Sequence, residues 1–321
     1  MSQTPRVLEF DVLPSLPREL LRAALSSRAA RPADVPRLEA RMRHLRTDPG
    51  ALTRYREVTG FPADGFLPLT YPQVLVTPLH LAVLNHPEFP YRLLGMIHVR
   101  NRIQQWRRLR EGATLSVHVW VEGQREVRQG REMEVHTRVE EDGALAWSAV
   151  TTMLRRLPGA AERSRGARSP FTPDPEEEAR FASSRTEHWT VREDTGRRYA
   201  LASGDFNPIH LHALTARPFG FSRAIAHGMW TVGRGVAALG QVAEAPALTL
   251  TSDFRRPLLL PAQAVFQAAP LAEGATAYRV RGKISPPTSW ASCGLEPSPP
   301  RRERRGARSP VQSRVETGTR K

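Results

Sequence analysis

Residues 203–210 read Ser-Gly-Asp-Phe-Asn-Pro-Ile-His and bring a carboxylate and an imidazole into one short segment. Asp205 and His210 can both carry protons, and the Asn207-Pro208 pair lies between them. Proline fixes its own φ and disfavours helix at the residue before it. We therefore expect the chain to bend at Asn207 and to restart as a short helix at Pro208. Such a bend lets the two side chains face each other, which suits moving a proton to and from a bound substrate.

A second candidate group lies at the start of an apolar segment, residues 228–239, which we predict to be a helix. The first amides of a helix have no partner within the helix, and the helix dipole makes that end electropositive. Gly228 has no side chain, so an oxygen atom can approach its amide closely. Gly228 is therefore a candidate for stabilising negative charge that develops on an oxygen.

The composition is that of a globular protein with one large domain or two ordinary ones: 321 residues, 40% hydrophobic and 25% charged. The net charge is +15, and 45 of the 47 basic residues are arginine, a skew that coding bias alone can produce. The basic C-terminal segment has no interleaved aromatic residue apart from Trp290 and matches no nucleic-acid-binding module, so we expect no specific nucleic-acid partner. There is also no glycine-rich nucleotide-binding motif.

Cys293 is the only cysteine, so the chain cannot form an internal disulfide. No set of cysteines and histidines has the spacing of a zinc site, and a reducing cytoplasm is the simplest location. Charged residues and prolines interrupt the apolar residues between positions 7 and 25. We therefore expect neither a signal peptide nor a membrane span.

The predicted elements repeat after a helical beginning. Residues 15–59 have helical periodicity, and residues 74–84 are apolar enough for a short buried helix. Strand-like segments bounded by turns such as Glu122-Gly123 and Asp142-Gly143 follow at residues 96–103, 114–121, 131–139 and 144–154. The second unit has a possible strand at 189–191, the loop with Asp205, the helix at 228–239, and strands at 248–254, 263–268 and 278–284. A helix followed by antiparallel strands, twice, indicates an α+β duplication.

Tyr199 and residues 203–210 together resemble the hydratase signature of MaoC-like dehydratases, which include the (R)-specific enoyl-CoA hydratases. The similarity continues in Phe-Gly-Phe at 219–221 and Ala-His-Gly-Met at 226–229. In the first half, the segments that resemble single-chain double-hotdog members of the family are residues 67–72, 89–90 and 98–103. The resemblance extends over residues 60 to 284.

The resemblance implies an α+β double hotdog, in which two antiparallel sheets each wrap a central helix, and reversible addition of water to a 2-enoyl thioester. By position, Asp205 and His210 would be the acid–base pair. Asn207 would orient the reacting groups at the substrate, and the Gly228 amide would bind the thioester oxygen. The substrate would be carried by coenzyme A or an acyl carrier protein. The resemblance implies no metal and no other cofactor.

The family also suggests how the chain is divided. We predict a helical N-terminal extension (1–60), a degenerate non-catalytic hotdog (61–157), a linker (158–180), a catalytic hotdog (181–285) and a disordered Arg/Pro-rich tail (286–321). The tail carries eight basic and three acidic residues. Because Ile284 runs directly into Ser285-Pro286-Pro287, we expect either a second sheet that is one strand short or a C-terminus replaced by unrelated sequence.

The chemistry of these residue types agrees with the resemblance. Removing water from a 3-hydroxyacyl thioester requires a base for the C2 proton, an acid for the departing hydroxyl and a donor to the thioester oxygen. Histidine titrates near neutrality, with an ordinary pKa of ~6.5. An aspartate, with an ordinary pKa of ~3.9, needs a desolvated site or a shared proton to act as the acid.

Four alternatives remain open from the sequence. A catalytically inactive hotdog would bind acyl thioesters or a partner without turnover, and a hotdog thioesterase would release a free thiol. His212 and His227 could form a metal site with Asp205 and His210, although the elimination needs no metal. The protein could be a monomeric double hotdog or a dimer. His98 and Asn101 are interpreted as structural or substrate-tunnel residues.

Overall fold

The computed structural model describes residues 5–26, 34–156, 175–282 and 289–297, and the strands in these ranges form one continuous sheet. The strands are β1 (Arg6–Phe10), β2 (Leu38–Leu45), β3 (Met96–Gln105), β4 (Leu115–Val127), β5 (Gly130–Glu141), β6 (Ala144–Arg156), β7 (Arg185–Val191), β8 (Leu248–Phe254), β9 (Ala262–Pro270), β10 (Thr276–Gly282) and β11 (Ser289–Pro297). The α-helices are α1 (Leu16–Leu25), α2 (Pro49–Thr59), α3 (Tyr71–Leu75), α4 (Thr77–Leu84), α5 (Pro175–Arg180), α6 (Thr195–Ser203), α7 (Ala213–Ala216) and α8 (Gly228–Ala238). Among the described helices, none is both long enough and apolar enough to cross a membrane.

The sheet has the order β1-β2-β4-β5-β6-β3-β8-β11-β10-β9-β7, so the strands of each half stay together. All neighbouring strands are antiparallel except β1 and β2. Strand β3 pairs with β6 on one side and with β8 on the other, from Arg100 opposite Asp253 to Gln105 opposite Leu248. The predicted α+β double hotdog is confirmed, with one difference. The two expected sheets are joined edge to edge through β3 and β8.

Each half of the sheet covers a buried helix. In the first half, α4 is apolar on all sides, and every residue from Pro78 to Leu84 is buried between its neighbours, which include β2 and β4. In the second half, α8 packs on β10, β11 and α2. This packing requires small residues on α8, because a Cβ atom at Gly235 would lie 2.2 Å from the Tyr278 ring. One hydrophobic cluster therefore extends through both halves.

The helical periodicity of residues 15–59 gives a partly wrong prediction. Helices α1 and α2 lie in this range, but residues 38–45 form strand β2, which pairs with β1 and β4. The buried side chains of Leu38, Ala40 and Met42 alternate as in a strand. His44 has φ 61° and interrupts that alternation, so Leu45 also faces the core. The interruption gives the apolar residues a spacing that resembles a helix.

The two turns predicted in the first half have different outcomes. Asp142 and Gly143 have φ 54° and 72° and connect β5 to β6, as the sequence predicts for a tight hairpin. Glu122-Gly123 is not a turn. Strand β4 continues to Val127, and its pairing with β5 shifts by one residue between Glu122 and Gln124, with φ 77° at Gly123. The glycine therefore allows a β-bulge inside a long strand.

Two predictions about residues 286–321, a disordered tail and a second sheet that is one strand short, are wrong where the structure describes this segment. Residues 289–297 form β11, which pairs with β10 on one side and β8 on the other. The second half of the sheet therefore has a strand where the sequence predicted a missing one. The flanking prolines concealed it, but backbone hydrogen bonds on both edges stabilise an extended segment with weak strand propensity. Positions 286–288 and 298–321 lie outside the described residues.

Helix α5 lies within residues 158–180, which the sequence predicted to be a linker, and the first part of that range, 158–174, lies outside the described residues. An ion-pair cluster joins α5 to β10. The guanidinium of Arg279, only 1% exposed, donates hydrogen bonds of 2.7 and 3.0 Å to the Glu178 carboxylate and lies 3.7 Å from that of Glu177. It also donates to Gln267 at 3.0 Å. The acidic segment therefore covers a buried positive charge.

We expect the double variant Glu177→Gln/Glu178→Gln to lose about 3 kcal/mol of unfolding free energy in urea denaturation. Both carboxylates near the guanidinium of Arg279 would be removed, which leaves a buried charge without an anion. Asp194→Asn is the matched control. Its partner Arg192 is 71% exposed, so water screens this pair and its loss should change stability little. Equal losses in the two variants would contradict the assignment of Arg279 as a buried anchor.

Candidate active site

The loop after α6 carries the residues singled out by the sequence. Helix α6, which the sequence did not predict, ends at Ser203. Gly204 follows with φ 72°, and its N–H donates to the carbonyl of Ala200 at 2.7 Å. A left-handed glycine is a common way to end a helix. Asn207 then has φ −55° and ψ 125°, and residues Pro208–His210 form a single 3-10 turn, so the predicted bend and restart are confirmed.

The bend brings Asp205 and His210 together, and His227 joins them. One carboxylate oxygen of Asp205 and one ring nitrogen from each histidine all lie within 4.8 Å of one another. The two histidines are buried, whereas 42% of the Asp205 side chain is exposed. The cluster is therefore covered by protein on the histidine side and open at the carboxylate.

His210 is fixed through its Nδ1 atom. Nδ1–H donates to the carbonyl of Ile225 at 2.8 Å, since a carbonyl oxygen can only accept. This leaves Nε2 as the nitrogen with an available lone pair when the ring is neutral. The backbone of His210 lies against α6, because a Cβ atom at Gly196 would lie 2.0 Å from the His210 carbonyl oxygen. Any side chain at position 196 would displace the turn.

His227 contacts both members of the predicted pair. Its Nε2–H donates to the backbone carbonyl of Asp205 at 2.9 Å and lies 3.7 Å from the Asp205 carboxylate. Its ring stacks on that of His210, with centroids 3.7 Å apart and planes inclined by 25°. The Tyr199 ring lies 4.7 Å from the His227 ring centroid. The sequence indicated His227 as part of a motif next to Gly228 and as a possible metal ligand, but not as a residue that contacts both Asp205 and His210.

Asn207 acts on the loop in two ways. Its backbone N–H donates to Oδ1 of Asp205 at 3.2 Å. Its side-chain oxygen accepts from the amide of Ile209 at 3.4 Å and so caps the 3-10 turn. Asn207 therefore orients the Asp205 carboxylate and the turn that carries His210. Its predicted contact with substrate stays a proposal.

The protonation states follow from burial and from the mutual contacts. Partial burial raises the pKa of Asp205, but the neighbouring His227 and His210 and the amide of Asn207 outweigh it and lower the pKa of the carboxyl below its ordinary value. Burial lowers the pKa of His210, against the opposing effects of Asp205 and the Ile225 carbonyl. Burial and the adjacent His210 lower the pKa of His227 to about 3. At neutral pH the cluster therefore contains a carboxylate and two neutral imidazoles.

Gly228 is the first residue of α8, directly after His227. A Cβ atom at position 228 would lie 2.8 Å from two carbons of the Phe254 ring, so only glycine fits without displacement. Phe254 also contacts His98 of the first half, with ring centroids 4.7 Å apart. Burial lowers the pKa of His98 to about 4. The first half therefore contributes a side chain at the edge of the site.

Comparison with known proteins identifies the family. The MaoC like domain profile matches residues 171–255, which include Asp205, His210 and Gly228. Over 256 residues, 78% of this chain, the sequence is 32% identical to 3-hydroxyacyl-thioester dehydratase X of Mycobacterium tuberculosis and covers 88% of that protein. The chain belongs to the MaoC-like dehydratase family.

Two further similarities accompany this family assignment. The chain is 28% identical over 162 residues to the peroxisomal enoyl-CoA hydratase 2 of Arabidopsis thaliana, a match that covers 49% of this chain and 52% of that protein. The crystal structure of HtdX of Mycobacterium tuberculosis superposes with a TM-score of 0.68 and 28% identity, over 81% of this chain and all of that one. The structural similarity of this MaoC-like dehydratase therefore includes both halves.

The same three side chains also form a possible metal site, since their ligand atoms lie within 4.8 Å of one another. The stacking of His210 on His227 disfavours this use. The lone pair of an imidazole nitrogen lies in the plane of its ring, so the lone pairs of two nearly parallel rings lie in nearly parallel planes. The nitrogens of two metal ligands must instead point at one common centre. His212, the other histidine considered, accepts from Leu214 N at the start of α7 instead. The geometry of this MaoC-like dehydratase favours proton transfer at the cluster.

A cavity elsewhere in the molecule does not belong to this cluster. It is lined by residues that include Phe61, Phe66, Arg108 and Ala237. Ala237 is near the C-terminal end of α8, and Gly228 is at its beginning. Ala237 is nine residues after Gly228, ~13 Å along the helix axis at ~1.5 Å per residue, so the cavity lies at the opposite end of α8 from the amide of Gly228.

Proposed function

We propose that this protein interconverts (R)-3-hydroxyacyl and trans-2-enoyl thioesters, as an acyl-thioester hydro-lyase. The observation that carries the proposal is the approach of Asp205 and His210 to within 4.8 Å, on a loop fixed by Asn207 and beside the start of α8. Membership of the MaoC-like dehydratase family supports the same reaction. The substrate is a thioester of coenzyme A or of an acyl carrier protein.

The protonation states constrain how the proton moves. In the resting site, Asp205 is a carboxylate and His210 has a bare Nε2, so each side chain can accept a proton from the substrate. In the dehydration direction one of them takes the C2 proton, the C2 electron pair forms the double bond, and the C3–O bond breaks. The same proton then passes to the departing hydroxyl, which leaves as water. The residues recover their starting states, and atoms and charge balance.

The thioester oxygen gains negative charge during this step and needs a donor. We assign this role to the amide of Gly228, because it lies at the electropositive end of α8 and Gly228 has no side chain of its own. Donors of this kind contribute ~10²–10³ in rate. The reaction as written requires no redox step and no metal.

The proposal is tested with purified protein and 2-enoyl-CoA substrates of several lengths, beginning with crotonyl-CoA. Hydration removes the conjugated double bond, so the ultraviolet absorbance of the enoyl thioester should fall with time. The same assay with carrier-protein-linked substrates distinguishes the two carriers. No hydration across all lengths and both carriers would exclude the proposed reaction.

The second candidate is a hotdog that binds acyl thioesters without converting them. An incomplete second sheet would be its main support, and β11 supplies a strand there. Calorimetry that detects tight acyl-CoA binding, together with an absence of hydration, would favour it. A thiol-release assay separates both from a thioesterase.

On the ground that Cys293 has no cysteine to pair with, we propose that the protein works in the cytoplasm.

Gly228→Ala is expected to lower kcat/KM up to ~10²-fold, because displacement by about 1 Å can cost that much. The new methyl group would meet the Phe254 ring at 2.8 Å and would shift either that ring or the start of α8. Steady-state hydration kinetics measure the loss. The double variant Gly228→Ala/Phe254→Leu should recover part of it, since leucine leaves room for the methyl group. Full activity in the single variant would show that the close approach at residue 228 is unimportant.

A further inference from the structure

His227 has contacts that the proposed reaction does not yet use. It is 3% exposed, it precedes the first residue of α8, and its ring stacks on that of His210 and contacts that of Tyr199. A histidine buried solely for packing would need no particular orientation. Here one ring nitrogen is directed at Asp205, at 2.9 Å from its backbone carbonyl.

The protonated nitrogen of His227 can be assigned from its partner. A backbone carbonyl only accepts, so Nε2 carries the proton that is donated to Asp205. The other nitrogen, Nδ1, is buried and has no hydrogen-bond partner in the described structure. A proton on Nδ1 would place a charge in the interior without an acceptor. The ring is therefore held as the neutral Nε2–H tautomer.

We propose that His227 is a positioning residue that fixes the distance between Asp205 and His210. It does so by holding the Asp205 main chain through Nε2–H and by supporting the His210 ring through stacking at 3.7 Å. This inference rests on the proposed function, because positioning matters only if Asp205 and His210 exchange a proton with substrate.

The neutral state of His227 is required for this role. When His210 accepts the C2 proton it becomes a cation, and a second cation 3.7 Å away would oppose that step. A neutral ring in stacking contact instead presents a polarisable face to the cation. The contact with Asp205 also places an N–H dipole 3.7 Å from the carboxylate, which helps to keep it ionised.

Two substitutions separate the two contacts. His227→Phe retains a flat ring against His210 but has no donor to Asp205. His227→Gln has an amide N–H near the position of Nε2 but no ring. We expect His227→Phe to lower kcat ~10²-fold and to change KM less than about twofold. The groups that bind substrate remain, whereas Asp205 and His210 are no longer held at the correct distance from each other. We expect the kcat of His227→Gln to be about tenfold higher than that of His227→Phe, because the glutamine amide restores the donor to Asp205.

Controls distinguish positioning from a loss of folding. His188→Phe makes the same change at an exposed position of β7 and should leave kcat unchanged. Urea denaturation of each variant at pH 7.5 shows whether it is folded under assay conditions. A folded His227→Phe variant with wild-type kcat, or a His227→Gln variant no faster than His227→Phe, would overturn the proposal.

A measurement without substrate separates this inference from the proposed function. Ring ¹⁵N NMR at neutral pH should show a His227 signal with the proton on Nε2, protected from exchange, that disappears in His227→Gln. A proton on Nδ1 would refute the contact with Asp205 whether or not the protein is active. If the wild-type protein hydrates no substrate while the Nε2–H signal is present, the proposed function fails and the assigned contact stands.

Discussion

Asp205→Asn and His210→Asn are each expected to lower kcat for hydration of a 2-enoyl thioester ~10²–10⁴-fold, the usual contribution of acid–base catalysis. In the first variant an amide replaces the carboxylate but keeps an oxygen that can accept from the amide of Asn207. In the second, the asparagine amide lies near the position of Nδ1 and retains a donor to the Ile225 carbonyl. Both variants therefore remove the proton acceptor and preserve the local hydrogen bond.

His212→Asn is the matched control for these variants. His212 lies two residues after His210 and accepts from Leu214 N at the start of α7, a position where asparagine is a good helix cap. Its kcat should equal that of the wild type. Initial-rate kinetics, with circular dichroism to verify folding, measure all three variants. Retention of more than about a tenth of the activity in either Asp205→Asn or His210→Asn would remove that residue from the mechanism.

The free energy of unfolding should fall steeply as the pH is lowered below 6.5. Burial is the main cause that lowers the pKa of three histidines, to about 3 for His80 and His227 and to about 4 for His98. In the unfolded chain each takes up a proton near pH 6.5, whereas in the folded protein it remains neutral. Lower pH therefore favours the unfolded state, by ~1.4 kcal/mol per pH unit for each histidine.

Together the three histidines should cost about 5 kcal/mol between pH 6.5 and 5, which is comparable with the whole stability of many domains. Urea denaturation at pH 7.5, 6.5, 5.5 and 5 measures the slope. His80→Gln can keep a donor to the Thr137 hydroxyl, which lies 2.7 Å from Nε2, and should reduce the slope by about a third. A midpoint that stays constant between pH 7.5 and 5 would contradict the buried neutral state of these histidines.

The loop at residues 203–210 could be predicted from the sequence because its shape depends on local rules. Pro208 and Asn207 determine the bend through backbone sterics and a side-chain cap, and both operate within a few residues. The start of α8 at Gly228 was equally readable, since an apolar run follows it. These local features were sufficient to place Asp205 and His210 close together.

The features that the sequence did not disclose depend on contacts between distant segments. Gly196 lies beside the His210 carbonyl only because α6 packs on the turn, and no local pattern requires a glycine there. Phe254 reaches Gly228 from β8, twenty-six positions along the chain. His227 adjoins Gly228 in sequence, but its hydrogen bond to the Asp205 carbonyl requires the finished fold. These residues matter through contacts between segments that are distant in the sequence, and such contacts leave no local periodicity to read.

The sequence also failed to predict the strands β2 and β11. In β2, a positive φ at His44 breaks the alternation that would otherwise identify a strand. In β11, the pairing energy comes from β8 and β10, which precede it in the chain, so its own residues need little preference for an extended conformation.

The position of β11 between β8 and β10 also affects how the protein is made. During synthesis both neighbours leave the ribosome before the strand that must separate them, and until it arrives they present open edges that can pair wrongly. The interior of the second half therefore cannot close during synthesis until β11 has been made. A chain interrupted just before Ser289 would keep every residue of the Asp205 loop and yet lack the strand that joins β8 to β10 behind α8.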